Sequence, residues 1–141
     1  MFQSCSTYLI GTDIEGKVPL LEFSFFAYGS PNQKNKYDPR ISTTIVSIIA
    51  DFFSAFPTGA LIVTYDSTDG KARNRKVAFR RWYNQASSGD LIERYDDYIN
   101  ISIDNIVLRI DCSLLVKSDN PYRNSILKGL RGFIRLAASY K

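Results

Sequence analysis

The order of elements legible along the chain, β-β-α-β-α-β-β-β-α, predicts an α+β fold. The expected architecture is a single-domain sandwich over residues 1–141, in which a mostly antiparallel sheet of about five or six strands carries three amphipathic helices. Three observations predict it. ALIVTY (60–65) is a continuous apolar run of strand length, the signature of a strand covered on both faces. Ile106, Leu108, Ile110, Cys112, Leu114 and Val116 alternate strictly with their neighbours, so one face of that strand should be buried. Ile41, Ile45, Ile48, Ile49, Phe52, Phe53 and Phe56 recur at spacings of three and four, the apolar stripe of a helix packed on a core.

The elements follow in order. TYLIGTD (7–13) and KVPLLEFSFFAY (17–28) are β-rich runs around Glu15-Gly16, which suits a hairpin turn. Pro19 removes a ladder donor, so the second strand should start late or lie at an edge. GSPNQKNKYDP is the most loop-like stretch, and residues 29–38 are expected to form a mobile loop. Asp38-Pro39 supplies a cap and a first-turn proline for the first helix, and Pro57-Thr58-Gly59 ends it. Leu91–Tyr95 and Tyr98–Ile103 read as two short strands. Asp104-Asn105 is a two-residue turn into the alternating strand. Asp119-Asn120-Pro121 caps a last helix, whose apolar side carries Ile126, Leu127, Leu130, Phe133, Ile134 and Ala137.

Composition narrows the chemistry. A 45% hydrophobic fraction over 141 residues, with nine Phe and nine Tyr, is ample for a packed core. The chain has no histidine, which excludes Ser-His-Asp and Cys-His nucleophilic sites, imidazole bases and histidine metal clusters. Cys5 and Cys112 are far apart in sequence and read as free thiols. Neither a metal nor another cofactor is expected. No stretch is long and apolar enough for a membrane span, and MFQSCSTY lacks the features of a signal peptide, so a cytoplasmic protein with no membrane partner is expected.

Residues 66 to 83, DSTDGKARNRKVAFRRWY, hold the candidate sites. The segment leaves the apolar strand and enters a helix, so Asp66 and Asp69 meet free backbone N–H groups at a helix start. On a helical wheel Phe79 and Trp82 share one face as core anchors, while Arg73, Arg80 and Arg81 point away. Arg75 lies nearly beneath the anchors, where a charge needs a partner. Asp66 or Asp111 would serve, and Asp66–Arg75 is the candidate structural ion pair. Charge is segregated: residues 71–81 carry +6, residues 117–141 carry +5 and residues 90–111 carry −4. If the second and third helices lie side by side, Arg73, Arg80, Arg81, Arg123, Lys128, Arg131 and Arg135 join in one basic binding face. Such a face attracts an acidic protein or a nucleic-acid phosphate backbone. A competing reading makes Asp66, Asp69 and Lys71 a faint echo of carboxylate-plus-lysine metal nucleases, in a small metal-dependent hydrolase.

Three stretches, RISTTIVSIIADFF, LIVTYDSTDGKARNRKVAFRRWY and CSLLVKSDNP with its helix, resemble an uncharacterised family of small bacterial proteins of unknown function. The resemblance spans roughly residues 40 to 130. It implies a stand-alone cytoplasmic bacterial domain, and it points to Asp66, Arg73, Arg75, Phe79, Trp82, Tyr83 and Pro121 without bringing an activity or a cofactor. The reading of the residues favours a binding protein over an enzyme. A third reading is an assembly protein that dimerises through the strand edge near residues 17–28. Monomer and homodimer both remain open.

Overall fold

The computed structural model describes residues 2–4, 13–14, 16–25, 39–65, 72–86 and 92–139. Five strands form one sheet: β1 (Phe2–Ser4), β2 (Leu20–Phe25), β3 (Ala60–Tyr65), β4 (Ile92–Ile103) and β5 (Ile106–Lys117). Three helices accompany them: α1 (Pro39–Ala55), α2 (Ala72–Ala86) and α3 (Arg123–Ser139). Strand order is β1-β2-β3-β5-β4. Only β2 and β3 run parallel, with Leu20 opposite Ala60, and α1 is the crossover that such a pair requires. All other pairings are antiparallel. The α+β fold is therefore the one the chain adopts.

β3 takes the central position because ALIVTY presents apolar side chains to both faces. Leu61, Val63 and Tyr65 join α1 residues Ile45, Ile49, Phe52 and Phe53 and α2 residues Phe79 and Trp82 in one buried cluster. Ala60 and Ile62 turn the other way, towards Cys112, Leu114, Val116 and α3 residues Ile126 and Leu130. The sheet thus lies between α1 and α2 on one side and α3 on the other.

Several elements begin where the local chemistry places them. β2 starts at Leu20, directly after Pro19, and α1 starts at Pro39. Asp104 and Asn105 both adopt positive φ, at 49° and 63°, the conformation that a two-residue hairpin turn demands and that Asx side chains tolerate. Gly59 ends the α1 turn with its N–H on the Phe56 carbonyl at 2.9 Å. A Cβ there would stand 3.1 Å from both the Phe52 ring and the Phe56 carbonyl oxygen. Asn120 fastens α3 to this corner: its Oδ1 accepts from the Tyr122 N–H at 2.9 Å and its Nδ2 donates to the Gly59 carbonyl at 3.3 Å.

Four expectations change. The two short strands at 91–103 are one strand, β4, because every residue from Ile92 to Ile103 has a register partner on β5. β2 is no edge for dimerisation, since β1 and β3 flank it. The helices after β3 and β5 do not lie side by side, because they pack on opposite faces of the sheet. The alternating strand buries only its second half: β3 covers Asp111 to Val116, whereas Ile106, Val107 and Leu108 are exposed. The first strand expected at 7–13 and the loop at 29–38 fall almost wholly outside the described residues.

Candidate functional site

α2 owes its amphipathic character to the spacing of Phe79 and Trp82, which lie three apart and insert into the cluster formed by α1 and β3. Phe79 is 1% exposed and Trp82 8%, and the Phe79 ring meets Tyr65 edge-on at 6.0 Å. Arg73, Arg80 and Arg81 are consequently turned to solvent. No acidic side chain among the described residues pairs with them. Arg75 is half-buried and engaged with neighbouring groups. Lys76 reaches Asp111 at 3.7 Å. Arg109 holds the same carboxylate at 3.1 Å and stacks over the Tyr98 ring at 4.0 Å.

The cations of α3 sit on the other side of the sheet and have different duties. Arg123, expected at a binding face, is occupied internally: its Nε lies 2.6 Å from the Glu93 carboxylate and its Nη2 donates to the Tyr95 hydroxyl at 3.2 Å. Tyr95 in turn donates to Glu93. The Tyr95 hydrogen bond and the Glu93 charge raise the Arg123 pKa further above its ordinary value. Lys128 and Arg131 are exposed, and Arg135 lies further along the same helix. The seven cations therefore do not form one surface, because the sheet separates the α2 set from the α3 set.

Asp66, Asp69 and Lys71 lie outside the described residues, and with them the candidate Asp66–Arg75 pair. Asp111, the other acid considered for Arg75, is held by Lys76 and Arg109. Among the described residues no group of three Cys, Asp or Glu is placed to hold a metal ion.

A polar chain that sequence reasoning missed runs beneath α2. The Tyr65 hydroxyl and Ser113 Oγ are 2.9 Å apart, and Ser113 Oγ donates to Asp96 Oδ1 at 2.6 Å. Asp96 is also 3.3 Å from Arg94 Nε, and the Arg94 guanidinium lies 5.3 Å from the Tyr83 ring centroid. Ser113 has one proton, which it gives to the carboxylate, so Tyr65 must be the donor in the first bond. Burial is the main cause that pushes the Tyr65 phenol up to about 12, with Asp96 adding to it. Burial, reinforced by Asp97 and Asp111, likewise takes the Cys112 thiol to about 12. Both groups stay protonated at neutral pH and make poor nucleophiles. No sequence signal marks this chain of contacts, since Asp96 and Ser113 meet only through the β4–β5 register.

Between α1 and α2 lies an apolar crevice of about 100 Å³, lined by Ile45, Ile49, Phe79, Trp82, Tyr83 and Ile92. The Tyr83 hydroxyl is taken up by the Ile92 carbonyl, so the bond leaves the crevice walls chiefly hydrocarbon.

Fold and site together define an α+β protein with a solvent-facing basic helix and a buried polar chain that ends on Arg94, whose Nη1 is buried without a hydrogen-bond partner among the described residues. The chain belongs to a family of unknown function, DUF6169, whose model matches residues 37–132. No curated protein and no solved structure matches it. No helix among the described residues is long and apolar enough to cross a membrane.

Proposed function

We propose that this is a binding protein of the cytoplasm, in which the outward face of α2 contacts an acidic protein. The observation that supports it is the contrast among cations. Lys76, Arg94, Arg109 and Arg123 each have an acidic partner within the chain, whereas Arg73, Arg80 and Arg81 are exposed with none among the described residues. Guanidinium groups so placed suit two-pronged recognition of carboxylates.

Size argues for a carboxylate partner over a nucleic-acid backbone. From Arg73 to Arg81 the helix rises only about 12 Å. Tight duplex binding commonly rests on about 6–10 phosphate contacts, and the cations of α3 that would extend the surface lie behind the sheet. The test compares retention on immobilised poly-glutamate and on duplex DNA over a salt gradient, for wild type and for Arg73→Glu/Arg80→Glu/Arg81→Glu. Retention on poly-glutamate that is lost in the folded triple variant supports the proposal. Retention on DNA alone would replace the acidic protein with nucleic acid, and behaviour indifferent to the substitutions would refute the α2 surface altogether.

A further inference from the structure

The β4–β5 ladder continues past the point where β3 stops. β3 pairs with β5 only as far as Tyr65 opposite Asp111, while β4 and β5 remain paired from Tyr98–Asp111 to Ile103–Ile106. This extension is a two-stranded arm with both edges free among the described residues. An isolated ribbon of two strands is marginal in water, so its faces decide its fate.

Register assigns the side chains to those faces. Tyr98, Ser102, Val107, Arg109 and Asp111 share one side, and it is furnished for water: Arg109 stacks on Tyr98 and holds Asp111, which also meets Lys76. Ile99, Ile103, Ile106, Leu108 and Ile110 share the other, which continues the α3 side of the sheet. That side carries no charged or hydrogen-bonding side chain along the arm. Ile103, Ile106 and Leu108 remain 54%, 62% and 45% exposed. One face is dressed for solvent and the other is not.

We propose that the aliphatic face of the arm packs against the same face of a second copy of this chain, forming a two-fold dimer. The bare hydrocarbon offers no polar group to select a foreign partner, but it is complementary to itself under a two-fold rotation, the commonest symmetry of oligomers. Three half-open side chains leave on the order of 300 Å² per arm, a patch size that on monomers is often functional. Two such patches, widened by Ile99 and Ile110, reach roughly 600–800 Å², below the range of stable permanent dimers. The association is therefore weak and concentration-dependent, in the micromolar range. It uses a surface separate from the α2 arginines.

Sedimentation velocity on the full chain tests this. Wild type should move from 16.0 kDa towards twice that mass as concentration rises through the micromolar range. Ile106→Lys/Leu108→Lys should raise the dimer dissociation constant at least about tenfold, because it places charge in an apolar contact. Val107→Lys, equally exposed on the opposite face, should dimerise like wild type. Far-UV circular dichroism checks that each variant is folded. If the double variant does not fold, hydrogen exchange of residues 103–108 in wild type takes its place, and protection should rise with concentration. A wild type that stays monomeric throughout, or a dimer lost in Val107→Lys but kept in the double variant, would overturn the proposal. So would a monomer that floats with phosphatidylcholine vesicles, since the arm would then be covered by lipid.

Discussion

Removing the Ser113 hydroxyl should harm the protein more than removing the Tyr65 hydroxyl that it contacts. Both residues are buried, at 0% and 1% exposure. Tyr65→Phe deletes the outermost donor and leaves Ser113 bonded to Asp96, so the loss is one net hydrogen bond, about 1 kcal/mol. Ser113→Ala removes the bond between Tyr65 and Ser113, about 1 kcal/mol, and also takes a donor from the Asp96 carboxylate, a further ~1.5–3 kcal/mol. Arg94 still faces Asp96 at 3.3 Å, so the lower part of that sum, about 2.5–3 kcal/mol, is expected. The two single variants each remove the same Tyr65–Ser113 bond, so the double variant should lose about 1 kcal/mol less than their sum. Guanidinium unfolding followed by Trp82 fluorescence gives the three values, provided the m-value is unchanged. Each kcal/mol should move Tm by about 3–4 °C in a chain of this size. A Ser113→Ala variant milder than Tyr65→Phe, or a double variant that loses the full sum, would refute the donor order deduced for the chain of contacts.

Other outcomes follow from burial and charge. Trp82→Ala should cost about 3–5 kcal/mol, as large-to-small core changes do, and native Trp82 emission should be blue-shifted; emission typical of water contact would contradict its 8% exposure. Stability should be complete below about pH 9 and fall between about pH 9 and 12. Cys112 and Tyr65, raised from 9.0 and 10.0 to about 12, hold their protons more tightly when folded than when unfolded. Tm should therefore decline across that window, and Tyr65→Phe should flatten the upper part of the decline; an unchanged slope would show that the phenol ionises freely. In a Cys5→Ser background the Cys112 thiol should resist a thiol reagent until the chain unfolds, and rapid labelling of native protein would count against its burial. Asn120→Ala removes both the Tyr122 contact and the tie to Gly59 and should cost about 2 kcal/mol, read as a lower Tm.

Much of the architecture was legible because it is written in local chemistry. ALIVTY marks β3, Pro19 delays β2, and Asp104-Asn105 sets the turn between β4 and β5. What local pattern does not carry is the side of the sheet on which a helix lands. The stripes of α2 and α3 report that each has an apolar face, but Leu61 and Ile62, adjacent in sequence, point to opposite layers. The expectation of one merged basic surface failed for that reason. Asp96-Asp97 read as a break between two strands because acids are rare in them. Ser113, directly across the ladder, donates its hydroxyl proton to Asp96 within an unbroken β4–β5 register. Alternation at 106–116 predicts a buried face throughout, yet periodicity cannot say where a covering layer ends. Of the candidate site, the outward arginines of α2 were visible on a helical wheel. The engagement of Arg123 with Glu93 was not, since it depends on tertiary placement.

The stretch shared with the family begins at residue 37, after β1 and β2. Yet β2 lies along the full length of β3, and Ile14, Val18, Leu20 and Phe23 are among the buried residues of the two core clusters. A chain cut to start at residue 37 would turn the central strand into an outer one, with an unpaired row of backbone groups beside an opened core. Such a fragment should aggregate on expression, and a soluble, cooperatively melting one would show otherwise. In this chain the boundary of likeness is narrower than the boundary of what can fold.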